Sequence, residues 1–139
     1  MLDNISARDI AVSGLRAQRV RMNIIANNIA NAETTRTPGG GPFRRQLAIF
    51  MADDLKRGAN VDKMGVHVKR IAPDPTPFRI VFEPGHPDAD TDGYVAYPNV
   101  NLAVEMVNLV SAQRGYEANV AVLSSGSRMR QSALELLQR

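Results

Sequence analysis

All eight prolines of this chain fall between Pro38 and Pro98, and residues 1–32 and 99–139 contain none. Proline removes a backbone donor and clashes with the preceding helical turn. The two ends are therefore free to form long helices, while the centre is barred from them. The predicted organisation is an N-terminal helix over 1–35, a β-rich region with loops over 36–98 and a C-terminal helix over 99–139. The fold class is α+β, with the terminal helices forming a coiled-coil-like pair around a small central β region.

Each end carries its own periodic signal. Ser6 in "SARD" is a candidate cap, with Asp9 three residues on. Apolar positions then follow a rhythm of fours and threes through Ala11, Leu15, Gln18, Met22, Ile25, Ile29 and Ala32. The last segment keeps that rhythm for longer, through Leu102, Met106, Leu109, Gln113, Tyr116, Val120, Leu123, Ser127, Arg130, Leu134 and Leu137. Asn99 or Asn101 is placed to cap it, and Glu105 suits its first turn. In the centre, "FRRQLAIF" (43–50), "GVHVKRI" (65–71) and "FRIVF" (78–82) read as strands. In the last of these, Phe78, Ile80 and Phe82 are expected on the buried face.

The last helix is too long for a small globule, and one apolar seam does not offset the entropy of ordering it. A second buried face is required, and Val107, Val110, Ala121 and Met129 lie off the first seam. With aromatics at only 5% and no tryptophan, the chain lacks the bulky side chains of a compact core. An ordinary two-helix hairpin on a small sheet is one reading. The other is that both ends become ordered by packing among copies or partners.

Three asparagines close together, Asn27, Asn28 and Asn31, interrupt the apolar end of the first helix. Asparagine competes for backbone hydrogen bonds and is a mediocre helix former. Asn31 suits a helix C-terminus. Asn27 and Asn28 come too early for that. Amides between close-packed helices would favour one register, because an unpaired one costs about 1–3 kcal/mol. Gln18 and Gln113 could act in the same way.

Other chemistry finds little support. The net charge is +3, and the 17 Lys and Arg residues are scattered, so nucleic-acid binding through Arg16, Arg19 and Arg21 is allowed but not indicated. It stands as the alternative, a nucleic-acid-binding coiled coil. With no cysteine, disulfides and thiolate metal sites are ruled out. "DADTDG" places Asp88, Asp90, Asp92 and Gly93 at calcium-loop spacing, but Asn99 stands where the bidentate glutamate belongs. An Asp/Gly turn is the better reading. His67 and His86 are isolated, and Ser124 and Ser125 have no nearby base. No enzyme activity, metal or cofactor is expected. No apolar run is long enough for membrane insertion, and no secretory signal pattern begins the chain.

Three separated motifs now converge: "ANNIAN" (26–31), "EPGHPDADTDGYVAYPNVN" (83–101), and Arg114-x-Tyr116-x-Ala118-Asn119. Together they resemble the axial proteins of the bacterial flagellar rod and hook, and the short middle region is similar to that of short rod members. "SSGSRMR" (124–130) departs from the family pattern in its glycine. The resemblance implies a structural subunit of the proximal basal-body rod that assembles helically and transmits torque. It implies export unfolded through the flagellar type III apparatus, without a cleaved signal, to the periplasmic rod. The partners would be other rod proteins and copies of the chain itself, with no nucleic acid. The expected assembly interface takes Leu15, Gln18, Met22, Ile25, Asn27, Asn28, Ile29 and Asn31 from the first helix. From the last it takes Met106, Leu109, Gln113, Arg114, Tyr116, Asn119, Val120, Leu123, Leu134 and Leu137.

Overall fold

The computed structural model describes residues 7–52 and 65–137; the expected cap Ser6 lies outside them. The chain runs α1 (Ala7–Ala30), β1 (Gln46–Ala52), β2 (Val66–Pro73), β3 (Arg79–Phe82), β4 (Tyr94–Tyr97) and α2 (Leu102–Leu137). This is the α+β arrangement that the proline distribution dictates.

α1 and α2 pack antiparallel. Gly14 faces Asn119, Gly115 faces Gln18, and Asn28 reaches Glu105. Each step along α1 is matched by an equal step back along α2, so the register holds without slip. Small residues set the close approach, because a Cβ on Gly14 would lie 2.8 Å from the Asn119 Oδ1 and one on Gly115 would lie 3.0 Å from the Gln18 Nε2. The inner face buries Ala11, Ala17, Ile24, Ile25 and Asn28 from α1, with Glu105 and Ala112 from α2. That face is rotated from the run of larger apolar residues. Leu109, Tyr116 and Leu123 sit at its margin half-buried, while Leu102, Met106 and Val120 stay exposed.

Both ends that meet the β region are capped. Asn101 Oδ1 accepts from the Val104 amide at 3.2 Å, so Asn101 rather than Asn99 opens α2. Asn31 closes α1 by donating from Nδ2 to the Asn27 carbonyl at 2.9 Å. It does so without left-handed backbone, since no residue other than glycine has positive φ among the described residues.

The centre is two antiparallel hairpins. β1 pairs with β2 from Gln46↔Pro73 to Ala52↔Val66, with an irregularity between Ile49 and Phe50. β1 starts later than expected because Phe43, Arg44 and Arg45 serve as anchors. The Phe43 amide donates to the Thr34 carbonyl, and both arginines bond across to the β2 end. β3 pairs with β4 from Arg79↔Tyr97 to Phe82↔Tyr94; β4 carried no strand expectation. Of the face expected to be buried, Phe78 just before β3 is half-buried, but within the strand the inward residue is Val81. Val81 opposes the buried Val95, while Ile80 and Phe82 are exposed. Phe82 lies over Gly93 and meets Tyr94 edge-on at 5.2 Å, so its ring covers the turn instead of a core.

"DADTDG" is that turn. Asp90 Oδ1 accepts from the amides of Asp92 and Tyr94 at 3.0 and 2.8 Å. Gly93 takes φ of 83°, a region that side chains disfavour. Asp88 points away to the Thr35 hydroxyl and the Arg36 guanidinium.

Candidate functional site

The helix pair meets the β1–β2 hairpin at a buried cluster of polar groups. Asn28 is the hinge of it. Its Oδ1 accepts from the Gln46 amide and its Nδ2 donates to the Gln46 carbonyl, both at 2.9 Å. A helix side chain thus satisfies both backbone groups of a strand residue, as a neighbouring strand would. The same Nδ2 donates to Glu105 Oε2 at 2.9 Å.

Glu105 is fully buried, at 0% exposure. Its Oε1 accepts from Arg45 Nη2 at 2.6 Å and from Arg45 Nε at 3.0 Å, and Asn108 adds a longer bond. Arg45 Nη1 bonds Asp74 Oδ2 at 2.8 Å. Asp74 Oδ1 takes the amide and hydroxyl of Thr76 at 2.9 and 2.7 Å. Asn99 completes the ring, accepting from the Arg45 amide and donating to the Thr76 hydroxyl. Arg44 bonds the carbonyls of Asp74 and Thr76 and lies 4.1 Å over the Phe78 ring. Residues from α1, β1, the turn after β2 and the start of α2 are joined in one clamp.

The electrostatics fit a structural role. Thr76 and the Arg45 guanidinium hold the Asp74 carboxyl down at about 2. Burial works against the charge on Arg45, but its bonds to Asp74 and Glu105 outweigh this and raise its pKa. Arg45 pairs with both carboxylates and Arg44 is held by carbonyls and the Phe78 ring, so each charged group of the cluster has its partners.

The residues expected at an assembly interface are placed in different surroundings. Gln18, Ile25 and Asn28 are taken up inside the chain, and Asn119 donates to the Gly115 carbonyl at 2.8 Å in the helix seam. Leu15, Met22 and Ile29 are half-buried, as are Leu109, Tyr116 and Leu123. Asn27 and Asn31 bond each other at the end of α1. Met106, Gln113, Arg114, Val120, Leu134 and Leu137 remain exposed. Sequence reasoning missed Arg45 and Asp74 altogether and gave Glu105 only a first-turn role. The one local signal was "DPT" (74–76), whose Asp-x-Thr spacing suits a side-chain turn.

The outward side of α2 is apolar. Met106, Val107, Val110, Ser111 and Arg114 line an open groove of about 440 Å³, and Val107 is 70% exposed. Further along, Met129 and Leu136 are exposed, and so are Leu134 and Leu137, the last to 82%, on the side that faces α1 earlier in the helix. In contrast, α1 presents Arg16, Arg19 and Asn23 outward.

Comparison with known proteins bears on these surfaces. Residues 9–36 match the family model described as flagella basal body rod protein. Residues 91–136 match that described as flagellar basal body rod FlgEFG protein C-terminal. The chain is 44% identical to the flagellar basal-body rod protein FlgC of Borreliella burgdorferi, covering 96% of this chain and 97% of that one. It is 43% identical to FlgC of Yersinia enterocolitica, over 94% of this chain and 95% of that one. With FlgC of Bacillus subtilis the identity is 36%, over 92% and 94% of the two chains.

Proposed function

The chain belongs to the FlgC family of flagellar basal-body rod proteins, and we propose that it enters the rod through the outward apolar side of α2. It is a structural rod subunit, not an enzyme, and it assembles with other rod components. No comparison favours the nucleic-acid alternative.

The observation that carries the proposal is the exposure of Met106, Val107 and Val110 on a helix whose opposite side already packs on α1. A helix that is apolar on both sides is one that is covered on both sides. The polar clamp gathers on the side of Glu105 that faces α1, and so leaves this surface free. In this reading the neighbours on the outward side are rod proteins or copies of this chain. Export through the type III apparatus delivers the subunit to the periplasm, and the packed helices transmit torque.

The test is a Val107→Asp/Val110→Asp double variant, tagged and expressed in cells lacking the native protein. Both side chains point away from α1, so the circular dichroism of the purified variant should match the parent. The variant should be absent from isolated basal bodies, and the cells should be non-motile. Normal incorporation would refute this assignment of the interface. Leu109 and Leu123 are poorer choices, because they also touch the α1 side.

A further inference from the structure

The β3–β4 hairpin carries an apolar outer face that its own chain leaves bare. The pairs Ile80↔Ala96 and Phe82↔Tyr94 share that face, because residues opposite one another in a ladder point the same way. Ile80 and Phe82 are each 61% exposed, and Tyr94 is exposed as well. The other face is occupied: Val95 is buried there, and the Arg79 guanidinium lies 4.9 Å over the Tyr97 ring. Neither helix packs against β3 or β4, so the hairpin stands clear of α2 in its own chain. Its turn is acidic. Asp88 is engaged by Thr35 and Arg36, which leaves the exposed Asp90 and Asp92 next to the Phe82–Tyr94 pair.

We propose that this face of one copy seats in the α2 groove over Met106, Val107 and Val110 of the next copy, with the acidic turn against Arg114. This rests on the rod-subunit reading above and adds the identity of the occupant. Charge selects it. Arg114 lines the groove, and its side chain leans back toward Val110 as helical side chains do, whereas Glu117 one turn on does not line it. The competing surfaces of the chain bring cations to Arg114. Lys69 and Arg70 precede the exposed Ile71, Arg16 and Arg19 cover the outward side of α1, and Arg128 and Arg130 flank Met129.

Spacing agrees with charge. Two residues advance about 6.8 Å along a strand and four advance about 6 Å along a helix. Ile80, Phe82 and the turn therefore lie over Met106, Val110 and Arg114 in that order. A contact between two different surfaces of one chain does not end in a closed pair. Repeated, it builds a ring or an open helical stack, and the second is what a rod subunit needs.

The chain has no cysteine, so cross-links can be assigned cleanly. Ile80→Cys and Met106→Cys chains are co-expressed, and isolated basal bodies are treated with a short bis-maleimide. The expected product is a dimer of this chain that needs both variants together. Three results would overturn the inference: a dimer from either variant alone, a Met106→Cys link to a different protein, or no dimer at normal incorporation. The last two would leave the rod-subunit reading standing, since the protein would still be in the basal body. Should either cysteine block incorporation, a charge exchange decides. Asp92 enters its turn through the backbone amide, so its side chain can be changed without undoing the turn. Arg114→Glu should lower incorporation several-fold, and Asp92→Arg in the same chain should restore most of it. Unchanged incorporation of the single variant, or failure of that restoration, would equally overturn the contact.

Discussion

Asp74 holds its charge under unusual protection, and this gives the clamp a pH signature. Its carboxyl sits at about 2 in the folded chain because Thr76 and Arg45 bond its ionised form, against roughly 3.9 when unfolded. A depressed folded pKa contributes stability that is complete above the unfolded value and lost as pH falls toward the folded one. The loss should thus run from about pH 4 down to about pH 2. Asp74→Asn should be less stable than the parent at pH 7, and the gap between their thermal midpoints should narrow steadily through that window. A gap that stayed constant from pH 5 to pH 2 would show that Asp74 carries no such charge-linked stability. Glu105 is the more severe position, since removing a partner from a buried ion pair typically costs about 3–5 kcal/mol. At this scale the sequence was half legible. Asn28 stood out because asparagine is costly inside a helix. Its partners Gln46 and Glu105 did not, because they lie 18 and 77 positions away and nothing local marks a long-range bond.

The two glycines of α2 show how an element's packing departs from its pattern. By propensity alone, Gly115 and Gly126 each cost about 1 kcal/mol relative to alanine. Gly115 lies under Gln18, whereas a Cβ on Gly126 would meet nothing within 4 Å. Gly126→Ala should therefore stabilise the chain by up to about 1 kcal/mol, read as a higher urea midpoint at unchanged slope. Gly115→Val should instead push Gln18 aside, open the seam and lower the midpoint. Equal effects at the two sites would mean that the helices do not approach closely at Gly115. The same point explains which parts of the elements could be foreseen. Proline placement and the 4–3 rhythm gave both helices. Hydrophobicity put the large residues in the seam, whereas close approach selects Gly14, Ala17, Ala112 and Gly115. In β3 the alternation was readable. Its direction was not, because β4 and the Phe82 contact with Gly93 decide which face turns inward.

Over the whole molecule, burial is thin and uneven. The chain exposes 10175 Å², against roughly 7,100 Å² for a compact monomer of its mass. Among the described residues, the largest fully buried side chains are Glu105, Val95, Asn28 and Pro98. Specificity thus comes from the clamp, and most apolar surface is left for neighbours. Stability should then fall along α2 with distance from the clamp. In the isolated chain, amides from Glu105 to Ala112 should exchange slowly with deuterium, while those beyond Gly126 should exchange orders of magnitude faster. In purified basal bodies the second group should become slow as well, because other chains now exclude water and hold the helix. Helix formation beyond Gly126 and docking on neighbours would then be a single event, since that stretch alone buries too little apolar area to be ordered. Slow exchange along the whole of α2 before assembly would break this coupling, as the helix would be held by its own chain and neighbours would add only contact.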